Sequence, residues 1–145
     1  MDKQEILGYL EERFGLDSGL FGGLEFLEES KGRVFITTKD VAKIVGGVRP
    51  VTVGLLFCRL GEHSIKLSSN ITQLFGNKAT KNIVFLSEVE AKKFIEGEDL
   101  EIQKTEATDG YVIVKHKDYP LGVGLLKEGA IKNMLPKAKR IKIEI

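Results

Sequence analysis

Lys127, Lys132, Lys137, Lys139, Arg140 and Lys142 fall within sixteen residues, interrupted by Gly129, Asn133 and Pro136. This composition suits a polyphosphate. Lysine supplies a compact cation and arginine a planar fork of donors, and both displace counterions from a phosphate backbone. Asn133 adds a donor and an acceptor able to read a base edge, Gly129 allows close backbone approach, and Pro136 stiffens the segment. A solvated, charged loop is the competing reading of the same residues.

Other chemistry finds less support in residue type and spacing. No Gly-x-Gly-x-x-Gly follows a strand, and no Gly-x4-Gly-Lys-Ser/Thr occurs, so neither a dinucleotide fingerprint nor a P-loop is present. The two histidines, His63 and His116, are far apart, and one cysteine completes no zinc spacing. Neither a metal site nor a cofactor is expected. Cys58 lies in the apolar run VTVGLLFCRL, where a buried small hydrophobe is the ordinary reading. A nucleophilic Cys58 with His63 as its base, brought close across a hairpin, is a separate enzymatic alternative. The acidic pairs Glu11-Glu12, Glu28-Glu29 and Glu98-Asp99 read as solvated surface.

With 42% hydrophobic and 30% charged residues, the 145-residue chain has enough apolar material for a core in one domain or two small ones. No apolar run is long enough to cross a bilayer, and MDKQEIL lacks the layout of a signal peptide, so a cytoplasmic location away from membranes is expected. The net charge of +1 hides a polarity. Residues 1–31 carry 3 basic and 8 acidic side chains, whereas residues 115–145 carry 8 basic and 3 acidic. One end is therefore expected to face a polyanion, and the acidic end a different, protein partner.

The elements that must position these groups are legible as an α+β pattern. Asp2 caps a helix whose stripe is Ile6, Leu10 and Phe14, ended by Gly15. LEFLE and RVFITT form a hairpin, and Thr38 caps a second helix, DVAKIV, that stops at Gly46-Gly47. VTVGLLFCRL and HSIKLS read as buried strands, followed by a short helical turn from Asn70 to Gly76. The polar GNKATKN marks a domain boundary, dividing the chain into residues 1–76 and 80–145. Beyond it come the strand IVFL and a helix opened by a Ser87/Glu90 capping box, with Ala91, Phe94 and Ile95 inward and Gly97 as its stop. GYVIVK and LGVGLL are strands, the latter with two glycines that imply close approach or a bulge. KEGAIKNMLPKAKR reads as a basic loop and IKIEI as a closing strand.

The run GYVIVKHKDYPLGVGLL followed by KEGAIKNMLPKAKRI resembles the PUA-like C-terminal domain of Sun-family RNA cytosine-5 methyltransferases. Its specific part is Leu121-Gly122-x-Gly124 and then Lys132-Asn133-x-x-Pro136-Lys137-x-x-Arg140. An α/β half followed by such a domain is also similar to the Nip family of ribosome-assembly factors, whose first domain is called pre-PUA. The resemblance implies a pre-PUA-like domain followed by a PUA-like β pseudo-barrel that binds RNA. The Sun-family catalytic domain, with its Pro-Cys and Thr-Cys motifs, is absent, and Cys58 follows Phe57. The EIQKTEATDG stretch also lacks the common Pro-Gly-Val turn.

The expectation is a non-catalytic protein binding structured ribosomal or transfer RNA during RNA maturation or ribosome biogenesis. Lys127, Lys132, Lys137, Lys139 and Arg140 would hold phosphates, while Asn133 and Tyr119 would contact bases or ribose. An accessory subunit for a separately encoded RNA-modifying enzyme is the alternative.

Overall fold

The computed structural model describes residues 2–29, 32–38, 54–62 and 64–140. The expected DVAKIV helix, His63, Lys142 and the closing IKIEI strand lie outside the described residues. The chain is α+β and forms two compact units, Met1–Ser68 and Ser69–Ile145.

In the first unit, helix α1 (Lys3–Phe14) begins where Asp2 accepts a 2.9 Å hydrogen bond from the Glu5 amide. It ends at Gly15, whose φ of 68° lets its amide bond back to the last turn. Ile6, Leu7, Leu10 and Phe14 are its buried stripe. A 3₁₀ turn (Ser18–Phe21) leads into an antiparallel sheet ordered β1 (Leu24–Glu29), β2 (Arg33–Thr38), β3 (Leu55–Leu60), β4 (Ile65–Leu67). Phe57 of β3 meets both Phe21 and Phe26, at centroid distances of 5.2 and 4.8 Å. Arg59 and Lys66 stand opposite each other across β3 and β4. Burial, and then Arg59, lower the Lys66 pKa.

The second unit starts earlier in the chain than its polar linker suggests. Helix α2 (Ser69–Phe75) and a 3₁₀ turn (Gly76–Lys78) are bound to it, because their polar side chains reach backbone carbonyls. Gln73 donates to the Leu121 carbonyl at 3.2 Å and Asn77 to that of Asp118 at 2.8 Å. Gly76 lies so close to Pro120 that a Cβ there would stand 2.8 Å from the proline ring. GNKATKN thus falls within the second unit, with Gly76 and Ala79 buried and Asn77, Lys78, Thr80 and Lys81 exposed.

The remaining elements are β5 (Ile83–Phe85), α3 (Glu88–Ile95), β6 (Leu100–Glu101), β7 (Gly110–His116), β8 (Tyr119–Lys127) and β9 (Ala130–Asn133). They build a curled mixed sheet in the order β5-β7-β8-β9-β6, with β5 parallel to β7 and the other pairs antiparallel. The Ser87/Glu90 capping box is formed in both directions. α3 delivers Ala91 and Phe94 to a core that also holds Val84, Leu86, Val112, Val114, Leu126, Ile131 and Leu135.

The two β8 glycines serve close approach. A Cβ on Gly124 would stand 2.5 Å from Ile131 Cγ2 and 3.4 Å from Val114 Cγ2. Gly124→Ala is therefore expected to destabilise this unit by about 1–3 kcal/mol through overpacking, measured by denaturant unfolding.

Candidate nucleic-acid interface

The basic segment is more structured than the loop expected from its composition. β8 turns into β9 through Glu128 and Gly129, with φ of 50° and 83°, the left-handed pair of a two-residue hairpin. Alternation along β9 then exposes Ala130 and Lys132 and buries Ile131 and Asn133. After Leu135 and Pro136, a 3₁₀ turn (Lys137–Lys139) carries the chain to Arg140.

This geometry sorts the six expected RNA-contacting residues. Lys127 and Lys132 are exposed and line a recess of ≈ 330 Å³ together with Asp99 and Glu128, so their charge is partly offset. Lys137 and Arg140 are exposed on the turn. Lys139 is half-buried and donates to Asn70 Oδ1 of α2 at 2.5 Å, which ties the turn to that helix.

Asn133 holds a position of another kind. It is 6% exposed. Its Nδ2 donates to the Phe94 carbonyl at 2.7 Å and to the Glu98 carbonyl at 3.0 Å, while its Oδ1 accepts from the Leu135 amide at 2.8 Å. Both donors of the amide are committed, and none remains for a base edge. The side chain instead fastens the end of β9 to the end of α3.

Gly97 follows the end of α3 and also seats Arg140. Its φ is 100°, and a Cβ there would stand 2.5 Å from Arg140 Cδ. With the stem against this glycine, Arg140 Nε donates to the Leu135 carbonyl at 3.0 Å. The terminal guanidinium nitrogens keep their donors available among the described residues. Gly97, Asn133 and Leu135 thus fix the two ends of a turn that presents Lys137 and Arg140 to solvent.

Elsewhere, Tyr119 is exposed at the start of β8. Lys115 is buried at its stem with Nζ 5.5 Å from the centroid of the exposed Phe85 ring. The alternating strand pattern put Lys115 on a face but gave no signal of its aromatic neighbour. Among the described residues no three His, Cys, Asp or Glu side chains gather as a metal site, and no helix is long and apolar enough to cross a membrane. Cys58 lies inside the first unit, where burial and then the Glu28 carboxylate push its thiol up to about 12. A thiol so held is protonated at neutral pH and a poor nucleophile.

Residues 81–141 match the family model described as the methyltransferase RsmF PUA domain, spanning β5 through the basic turn. The chain is also similar to two proteins named ribosomal RNA small subunit methyltransferase F. It is 25% identical over 138 residues to that of Aeromonas hydrophila subsp. hydrophila and 27% identical over 138 residues to that of Aeromonas salmonicida. Each match covers 94% of this chain and 27% of the relative, so the chain spans about a quarter of the length of these curated relatives. Matches of that extent necessarily include most of the first unit as well as the second. Its second unit carries, at residues 81–141, a PUA domain resembling the C-terminal domain of Sun-family methyltransferases.

Proposed function

We propose that this chain binds structured RNA, ribosomal RNA foremost, and serves an RNA-modification or ribosome-maturation event by positioning RNA. It does so without carrying the chemistry itself. The observation behind this reading is that the region matching an rRNA methyltransferase's PUA domain ends on a braced turn exposing Lys137 and Arg140. On this reading those two side chains contact phosphates directly. Lys127 and Lys132 add longer-range attraction, and Lys139 and Asn133 hold the turn in place. The α/β first unit acts as a pre-PUA-like domain, and its acidic start is a surface for a protein partner.

Phosphate contacts displace counterions, so affinity must fall with salt at a slope set by their number. Binding of a labelled ribosomal RNA fragment is measured by fluorescence anisotropy at several salt concentrations. The double substitution Lys137→Ala and Arg140→Ala is expected to flatten the slope of log affinity against log salt by about 1.4–1.8, two contacts' worth. An unchanged slope would move the interface away from this turn.

An accessory role beside a separately encoded methyltransferase is the second reading, prompted by the similarity to proteins named as ribosomal RNA methyltransferases. A methyltransferase co-purifying with the tagged chain after nuclease treatment supports it, and loss of that partner with the RNA opposes it.

A further inference from the structure

Among the described residues β5 stands at the edge of the second unit's sheet, paired with β7. Residues 104–108 run beside it and are tied to its start, where Asn82 Oδ1 accepts from the Thr108 amide at 2.9 Å and from the Thr108 hydroxyl at 3.2 Å. Two adjoining recesses, of ≈ 410 and ≈ 320 Å³, lie between the strand and this segment and share Ile83, Phe85 and Glu106. Lys81 and Thr108 line the first, and Lys104 and Thr105 the second.

Phe85 is 63% exposed at the junction. Lys115 stands opposite it in register, only 8% exposed, with its ammonium over the ring. One face of the phenyl ring is thereby backed by a cation held on a buried stem, and the ring remains largely open to solvent. Lys81 and Lys104 line the cleft with the single carboxylate of Glu106, Lys115 backs the ring, and threonine hydroxyls occur at both ends. An aromatic surface between cations and hydroxyls has the chemistry of a platform for one base and its flanking phosphates.

We infer that this cleft takes an unpaired nucleotide of single-stranded RNA, its base stacked on the Phe85 ring that Lys115 backs and its phosphates met by Lys81 and Lys104. The inference rests on the RNA-binding reading and adds a second contact region, which selects unpaired over duplex RNA. The chain contains no tryptophan, so Phe85→Trp creates a lone fluorophore at the platform. Titrating that variant with a ten-nucleotide unstructured RNA is expected to quench its emission. Phe85→Leu, at an exposed position, is expected to keep the wild-type melting temperature and to lose about tenfold in affinity for the same RNA.

Unchanged affinity in Phe85→Leu, with binding still lowered by the Lys137/Arg140 double substitution, would overturn the platform and leave the RNA-binding reading standing. Absence of wild-type binding to both unstructured and folded RNA would overturn the two together. Tryptophan emission that ignores RNA and shifts only on adding nuclease-treated protein extract would assign the cleft to a protein and overturn the inference.

Discussion

Asn133→Ala is expected to lower the stability of the second unit by about 3 kcal/mol, from three buried or part-buried hydrogen bonds lost at one position. The substitution removes the donor to the Phe94 and Glu98 carbonyls and the acceptor for the Leu135 amide. The three losses are unequal. Phe94 O keeps a second donor, the Gly97 amide at 3.0 Å, and Glu98 is exposed enough for water to reach its carbonyl. The Leu135 amide, on a buried residue, has the poorest replacement. For a unit of this size a change of about 3 kcal/mol lowers the melting temperature by at least about 10 °C. Asn133→Asp keeps the shape but turns a carboxylate oxygen toward two carbonyls, so it is expected to destabilise comparably. Thermal unfolding of the two variants decides the matter. If either melts like the wild type while losing RNA affinity, Asn133 is a contact residue after all and its role as a brace fails.

The contrast at Asn133 explains what the sequence could and could not tell. An asparagine among lysines reads as a polar contact residue, because residue type carries no record of burial. Burial follows from β9, and β9 was hidden. Ala130–Asn133 contains one strongly apolar residue, and its strand character comes from pairing with β8 across a two-residue turn and with β6 on its other side. The same blindness to long-range pairing hid the tie between α2 and β8, which lies some fifty residues away in sequence.

Local chemistry, in contrast, was readable. The Asp2 cap, the Ser87/Glu90 box, the β1–β2 hairpin and the close approach at Gly124 each depend on residues near in sequence or on the absence of a side chain. At the candidate interface, clustering of cations was visible in composition. Which cations are spare was not, because Lys139 is engaged by Asn70 and Arg140 is aligned by Gly97 through contacts that cross the fold. The Phe85 platform was invisible for a related reason. A phenylalanine in IVFL reads as core, whereas among the described residues β5 stands at the sheet edge with Phe85 exposed.

In the first unit, Cys58 makes stability depend on pH on the alkaline side. Its thiol is fully buried, and its pKa is raised from 9.0 to about 12, chiefly by burial and secondarily by Glu28. Below pH 9 the thiol is protonated in folded and unfolded chains alike, and its contribution is constant. Between pH 9 and 12 the unfolded chain releases the proton while the folded chain retains it, so the unfolded state binds fewer protons and stability falls as pH rises. The slope approaches about 1.4 kcal/mol per pH unit, which gives a loss of about 2 kcal/mol by roughly pH 10.5. Tyrosines and lysines titrate in the same range, so the test is a difference. Cys58→Ala lacks the thiol but keeps every other group, and the stability gap between wild type and variant is expected to shift by about 2 kcal/mol in favour of the variant between pH 8.5 and 10.5. Glu28→Gln, which removes the secondary cause, is expected to shrink that shift without abolishing it. A gap that stays constant with pH would mean that water reaches the thiol in the folded chain. Rapid modification of the native protein by a small thiol reagent at neutral pH would then be expected too, and the case for a reactive Cys58 would reopen.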